Sequence, residues 1–118
     1  MSIESKIFTT LTGLVGGRVF PDFAPEGTQL PYIVYQQVGG TAVSFLEKTV
    51  PDIRNGRFQV EVWAPTRNEA MTISQQAEAA MVQATTFNAS PYNAYVAQVQ
   101  EDINLYGALQ DFSVWDSR

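Results

Sequence analysis

Glu61 and Asp111 are the side chains through which this sequence comes nearest to catalytic chemistry. A hydrolytic site wants two carboxyl groups facing one cleft, in environments that push their pKa values apart. Both residues lie on stretches of alternating polar and apolar side chains, so pairing of those stretches brings the two acids near each other. The same alternation puts them on the hydrated side of a sheet, where acids are ordinary solvating groups. Acids on a wet face are therefore the expectation, and a small ligand-binding or hydrolytic domain is the rival.

Glu101, Asp102 and Asp116 are the candidates for a metal site of oxygen ligands. Calcium loops bring acids at short, regular spacing with a glycine at the bend, and that pattern is missing. Gly16-Gly17 before Arg18 offers a phosphate cradle on paper, but a phosphate loop runs from a strand through spaced glycines into a helix. Here a helical stretch precedes and prolines follow, so the pair reads as a helix stop. The 118 residues contain no cysteine and no histidine, which removes thiolate nucleophiles, imidazole bases, disulfides and the usual soft metal ligands together. No catalytic residue, metal or cofactor is expected.

The net charge of -5 comes from 12 acidic and 7 basic side chains, and among the latter only Arg54 and Arg57 stand close together. Polyanion binding needs a clustered basic face, so no specific nucleic-acid binding is expected. No apolar run approaches the ~20 residues of a membrane span. The first residues lack the pattern of a secretory leader, which points to synthesis in the cytoplasm.

The elements that position these residues follow from periodicity. Ile3, Ile7, Leu11 and Leu14 recur at helical spacing, and Gly16-Gly17 closes that helix. Pro21, Pro25, Gly27 and Pro31 make the next stretch an irregular connector. Tyr32 to Val38 is a strand by its β-branched and aromatic content, and Phe58, Val60 and Val62 alternating with Arg57, Gln59 and Glu61 is a second. Thr66 and Glu69 form a capping box that opens a helix whose stripe is Ala70, Ile73, Ala77, Ala80, Met81 and Ala84. A loop through Pro91 precedes two closing strands, around Tyr95–Gln100 and Asp111–Trp115, with Gly107 in the turn between them. The expectation is a single α+β domain over residues 1–118, in the order helix-strand-strand-helix-strand-strand. Its four-stranded, mainly antiparallel sheet carries both helices on one face.

Two features do not suit a plain monomer. Trp63 is in phase with Gln59 and Glu61, and Trp115 with Asp111 and Ser113, so alternation sets both indoles on the wet face. They mark a partner surface, or else bend back to cap the core or lie beneath the connector. The stretch 39–55 is a long loop or arm between the first two strands, and its Val43, Phe45 and Leu46 have no place in a core already filled. It is a grip on a neighbouring subunit, or a small hairpin folded over the sheet. The contact residues expected from this reading are Phe45, Leu46, Arg54, Arg57, Trp63 and Trp115.

Four segments carry a resemblance: Gly17-Arg18-Val19-Phe20-Pro21-Asp22 with Ala24-Pro25-Glu26-Gly27-Thr28, then Leu30-Pro31-Tyr32-Ile33-Val34-Tyr35, then Phe58-Gln59-Val60-Glu61-Val62-Trp63-Ala64, and Asp111-Phe112-Ser113-Val114-Trp115. In this order, with the two helices between them, they resemble the tail completion or tail terminator proteins of long-tailed bacteriophages and prophages. The resemblance implies a non-enzymatic subunit of a ring, usually of six copies, at the head-proximal end of the virion tail. Such a ring ends tube polymerisation and presents a surface for head-tail joining. The partners implied are further copies of the chain, the tail tube protein and the head-tail connector protein, with DNA passing through the ring. A neck or connector role in the same particle is the alternative.

Overall fold

The computed structural model describes residues 2–117; Met1 and Arg118, the ends of the expected domain, lie outside the described residues. Helix α1 spans Ile3–Leu11, with the Ser2 hydroxyl accepting a hydrogen bond from the Ser5 N–H at 3.1 Å. Its buried residues are Ile3, Ile7 and Leu11, one turn apart each, as the spacing requires. The helix tightens into a 3-10 turn at Thr12–Leu14 and stops where Gly16 and Gly17 take φ of 60° and 86°. The Gly17 N–H closes that end onto the Thr12 carbonyl at 2.8 Å.

Among the described residues six strands follow, not four: β1 Val19–Pro21, β2 Tyr32–Gly39, β3 Ile53–Ala64, β4 Asn88–Pro91, β5 Val96–Gln100 and β6 Leu105–Ser117. Helix α2, Arg67–Gln83, stands between β3 and β4, and the Thr66 hydroxyl accepts from the Glu69 N–H at its start. The two strands beyond the expectation, β1 and β4, are short and each ends in a proline. Proline cannot donate to a ladder, so it sits in edge strands, and these two are lateral to the long β2, β3 and β6. The sheet runs β1-β2-β3-β6, and β4 and β5 share the outer edge of β6 end to end. It is mixed: β1 joins β2 in parallel and every other pairing is antiparallel.

Gly107 does not form the expected turn. The turn before β6 is made by the 3-10 segment Glu101–Ile103 and Asn104 at φ 50°, while Gly107 lies inside β6 directly opposite Trp63.

The core lies on one face of the sheet. Phe58, Val60 and Val62 of β3, Phe112 and Val114 of β6, and Ile33 and Tyr35 of β2 meet Ile7 and Leu11 of α1 and Ile73, Ala77 and Met81 of α2. Each such large side chain contributes about 1.5–3 kcal/mol on leaving water. The alanines of α2 let that helix approach the strands closely. A polar residue joins this face: Gln110 is buried, and its amide donates to Glu78 Oε1 at 2.6 Å and to the Asn93 carbonyl at 2.9 Å. At the other end, Lys6 ties α1 to β6 through Asp116 at 2.9 Å.

The molecule measures 54 × 26 × 22 Å, with a radius of gyration of 15.2 Å. A chain of this length packed to ordinary compactness has about 13.5 Å. The elongation follows β3, whose 12 residues span about 40 Å. Among the described residues no helix is long and apolar enough to cross a membrane.

Candidate functional site

The arm between β2 and β3 is the surface that the core does not explain. β2 ends at Gly39 and β3 begins at Ile53, so the expected arm of residues 39–55 narrows to residues 40–52. Its exit is fixed at Gly40, with φ of 152°, where an added Cβ would come within 2.5 Å of the Asn55 carbonyl oxygen. A side chain there would push the arm off β3. Asn55 pins the same base from the other side. Its Oδ1 accepts from the Thr41 N–H at 2.9 Å, and its Nδ2 donates to Ser113 Oγ at 2.9 Å.

Beyond that base the arm leaves the body. It contains no strand, so the folded-back hairpin is not what forms, and its one turn is closed by the Lys48 N–H on the Phe45 carbonyl at 3.0 Å. Leu46 is 100% exposed and Val50 68% exposed, with Phe45 and Ile53 about half exposed. Val43 is half-buried and Pro51 buried, so the stem is packed and the tip is bare. Arg54 is exposed where the arm rejoins β3, beside an open groove of about 420 Å³ that also touches Gln37, Val43 and Ile53.

The other expected contact residues lie on the sheet face opposite the helices, as alternation requires, yet that face shelters them. Trp63 is only 8% exposed because its ring lies on Gly107, where an added Cβ would come within 2.6 Å of the indole. Trp115 is half-buried opposite Asn55 and Asn88. The Arg57 guanidinium reaches Asp111 Oδ2 at 2.6 Å and lies 4.0 Å from the centre of the Tyr92 ring. It is thus held within the subunit.

That ion pair also decides the fate of the two acids. Asp111 is buried and bound by both Nη2 and Nε of Arg57, and its own N–H donates to Asn93 Oδ1. Glu61 faces Leu109 across the strands, not Asp111. Burial raises the Glu61 carboxyl above its usual pKa, and a hydrogen bond with the Trp63 side chain lowers it by less. Tyr32, opposite Trp63, is raised by its own burial and then by the Glu61 charge. The two carboxyl groups therefore serve separate local networks. Asp116 is paired with Lys6 at the end of β6 remote from Glu101 and Asp102. Among the described residues no three acidic side chains cluster as metal ligands. Arg18 donates from Nε to the Pro31 carbonyl at 2.9 Å, which anchors the connector.

The sequence placed Gly107 in a turn rather than opposite Trp63, and it did not single out Asn55 or Gln110. A lone glycine inside a strand pattern signals close backbone or aromatic approach, and Gly107 next to the alternating run of β6 carried that signal. Asn55 and Gln110 act through partners distant in the chain, and nothing local marks them.

No individual curated protein matches the chain. A family match extends over residues 9–115, from within α1 to Trp115 near the end of β6, and so takes in the sheet, α2 and the arm. By that match the chain belongs to the family of phage tail completion proteins described as tail completion protein gp17.

Proposed function

We propose that this tail completion protein forms a ring, of six copies, on the head-proximal end of the tail tube. There it stops addition of tube subunits and offers the surface that the head-tail connector meets. The observation that carries the reading is the arm: a packed stem on a fixed base that ends in a fully exposed Leu46. A ring closes through two different patches of each subunit, so each copy needs a projecting patch and a receiving one. Covering Leu46 alone is worth about 1.5–3 kcal/mol per subunit.

Phe45, Leu46 and Arg54 carry the contact in this reading. Trp63, Trp115 and Arg57 stiffen the strands from which the arm projects. The role is structural and uses no catalytic group. The net charge of -5 suits a ring through which DNA slides, because a lumen that held phosphates would retard it.

The test is mass measurement of the purified protein alone and with tube subunits, together with imaging of tube ends. A closed oligomer at one tube end and halted growth are the expected result. A protein that stays monomeric beside freely growing tubes refutes the reading, and a ring seated away from the tube end assigns the neck instead.

A further inference from the structure

Strand β5 is an edge that nothing in the subunit protects. All five of its residues are exposed, it pairs with β6 on one side, and among the described residues no strand pairs with its other side. Its sequence, Val96-Ala97-Gln98-Val99-Gln100, has no charge, no proline and no glycine. Folded proteins usually blunt such an edge with lysine, proline or a bulge, because its free N–H and C=O groups template pairing with another chain. The opposite edge of the sheet is blunted in this way: β1 is three residues long and ends at Pro21.

The arm contains the complementary segment. Thr41-Ala42-Val43-Ser44-Phe45 is uncharged, and its Thr41, Val43 and Phe45 are of types that favour extended backbone, yet it belongs to no strand within the subunit. It cannot reach its own β5. Its first residue, Thr41, is held by Asn55 in the row of Trp115, and the four residues from Thr41 to Phe45 span about 13 Å. The near end of β5, opposite Leu109, lies six residues along β6 from Trp115, about 20 Å away, and two strands to the side.

We infer that the arm segment Thr41–Phe45 of one copy adds as an edge strand to β5 of the next copy. This rests on the ring reading and specifies its interface. The donor and the acceptor lie at opposite ends of the molecule and differ from each other, which is the geometry of a head-to-tail contact able to close. Main-chain hydrogen bonds supply the affinity, and the apolar side chains of the arm find Val96 and Val99 beside them.

The chain has no cysteine, so introduced thiols are unique. Ser44→Cys and Gln98→Cys alter exposed residues, and circular dichroism checks that the fold is kept. A chain carrying both, treated with a short bis-maleimide after assembly with tube subunits, is expected to give a ladder of linked copies that ends at the ring number. Either variant alone is expected to give none. A ring that halts tube growth but shows no ladder overturns the inference and leaves the ring reading standing. Internal linkage within a monomer, or linkage of Ser44→Cys to a cysteine placed on the tube protein, also overturns it. Loss of the ring and of tube termination in the unsubstituted protein overturns the ring reading, and this inference with it.

Discussion

Gly107→Ala is expected to destabilise the protein through Trp63 and through no other residue. The three nearest atoms to an added Cβ all belong to the Trp63 ring, at 2.6, 2.7 and 2.9 Å, so the ring must lift off β6. Overpacking of this kind costs about 1–3 kcal/mol. Trp63 is now 8% exposed, and uncovering about a third of the roughly 150–250 Å² that such an aromatic buries costs about 1–2 kcal/mol. The unfolding entropy of a 118-residue domain is about 250 cal/mol/K, so each kcal/mol lowers Tm by about 4 °C. Gly107→Ala should therefore lose roughly 4–12 °C. In a Trp63→Leu background the obstructing ring is gone, and alanine improves on glycine in a strand by about 0.5–1 kcal/mol. The sign reverses, and the cycle shows a coupling of about 1.5–4 kcal/mol. Thermal unfolding followed by circular dichroism at 218 nm, a conventional strand wavelength, measures all four proteins. Equal destabilisation by Gly107→Ala in both backgrounds would refute the stacking account.

Three more outcomes follow from the same geometry. Arg57→Ala leaves the buried Asp111 carboxylate without its cation and should cost about 2–3 kcal/mol by urea titration, less than a fully buried pair because Arg57 is 37% exposed; Asp111→Asn added to it should recover part of the loss. Glu61→Gln should stabilise the protein at neutral pH. The folded-state pKa of Glu61 is raised, so its protonated form favours folding, and that benefit, complete below the usual value of 4.5, disappears as pH rises through the folded pKa. The advantage of Glu61→Gln in Tm should accordingly be largest above that pKa and vanish under acid conditions; an advantage that grows on acidification contradicts the assignment. Leu46→Asp should leave the urea midpoint within about 0.5 kcal/mol of wild type, since the side chain touches nothing, while oligomerisation and tube termination fail.

The long elements were legible because each repeats one physical pattern several times. Ile3, Ile7 and Leu11, the α2 stripe from Ala70 to Met81, and Phe58-Val60-Val62 all lie where their spacing puts them, in the core. Thr66 marked the start of α2 because its hydroxyl acts on a backbone group three residues away. β1 and β4 were hidden by their own prolines, since a three- or four-residue edge strand has no room for a period and pairs only because a longer neighbour exists. The tryptophans show the limit of alternation as evidence. It put Trp63 on the correct face, but exposure depended on Gly107, a residue 44 positions later, which makes a seat for the ring. The arm was visible as a surplus of apolar residues with no period, although its true stem, fixed by Asn55 and Gly40, needed three-dimensional contacts to define.

Gln110 gives the fold a means of indexing. Sliding β6 by two residues along β3 would keep every large apolar group on its proper side, so greasiness alone discriminates weakly between the two alignments. The slide would carry the Gln110 amide away from Glu78 and the Asn93 carbonyl and strand it in a dry layer, at a cost of about 1–3 kcal/mol. One amide thereby locks the longest ladder of the sheet at a single notch, and with it the direction in which the far tip of the subunit points.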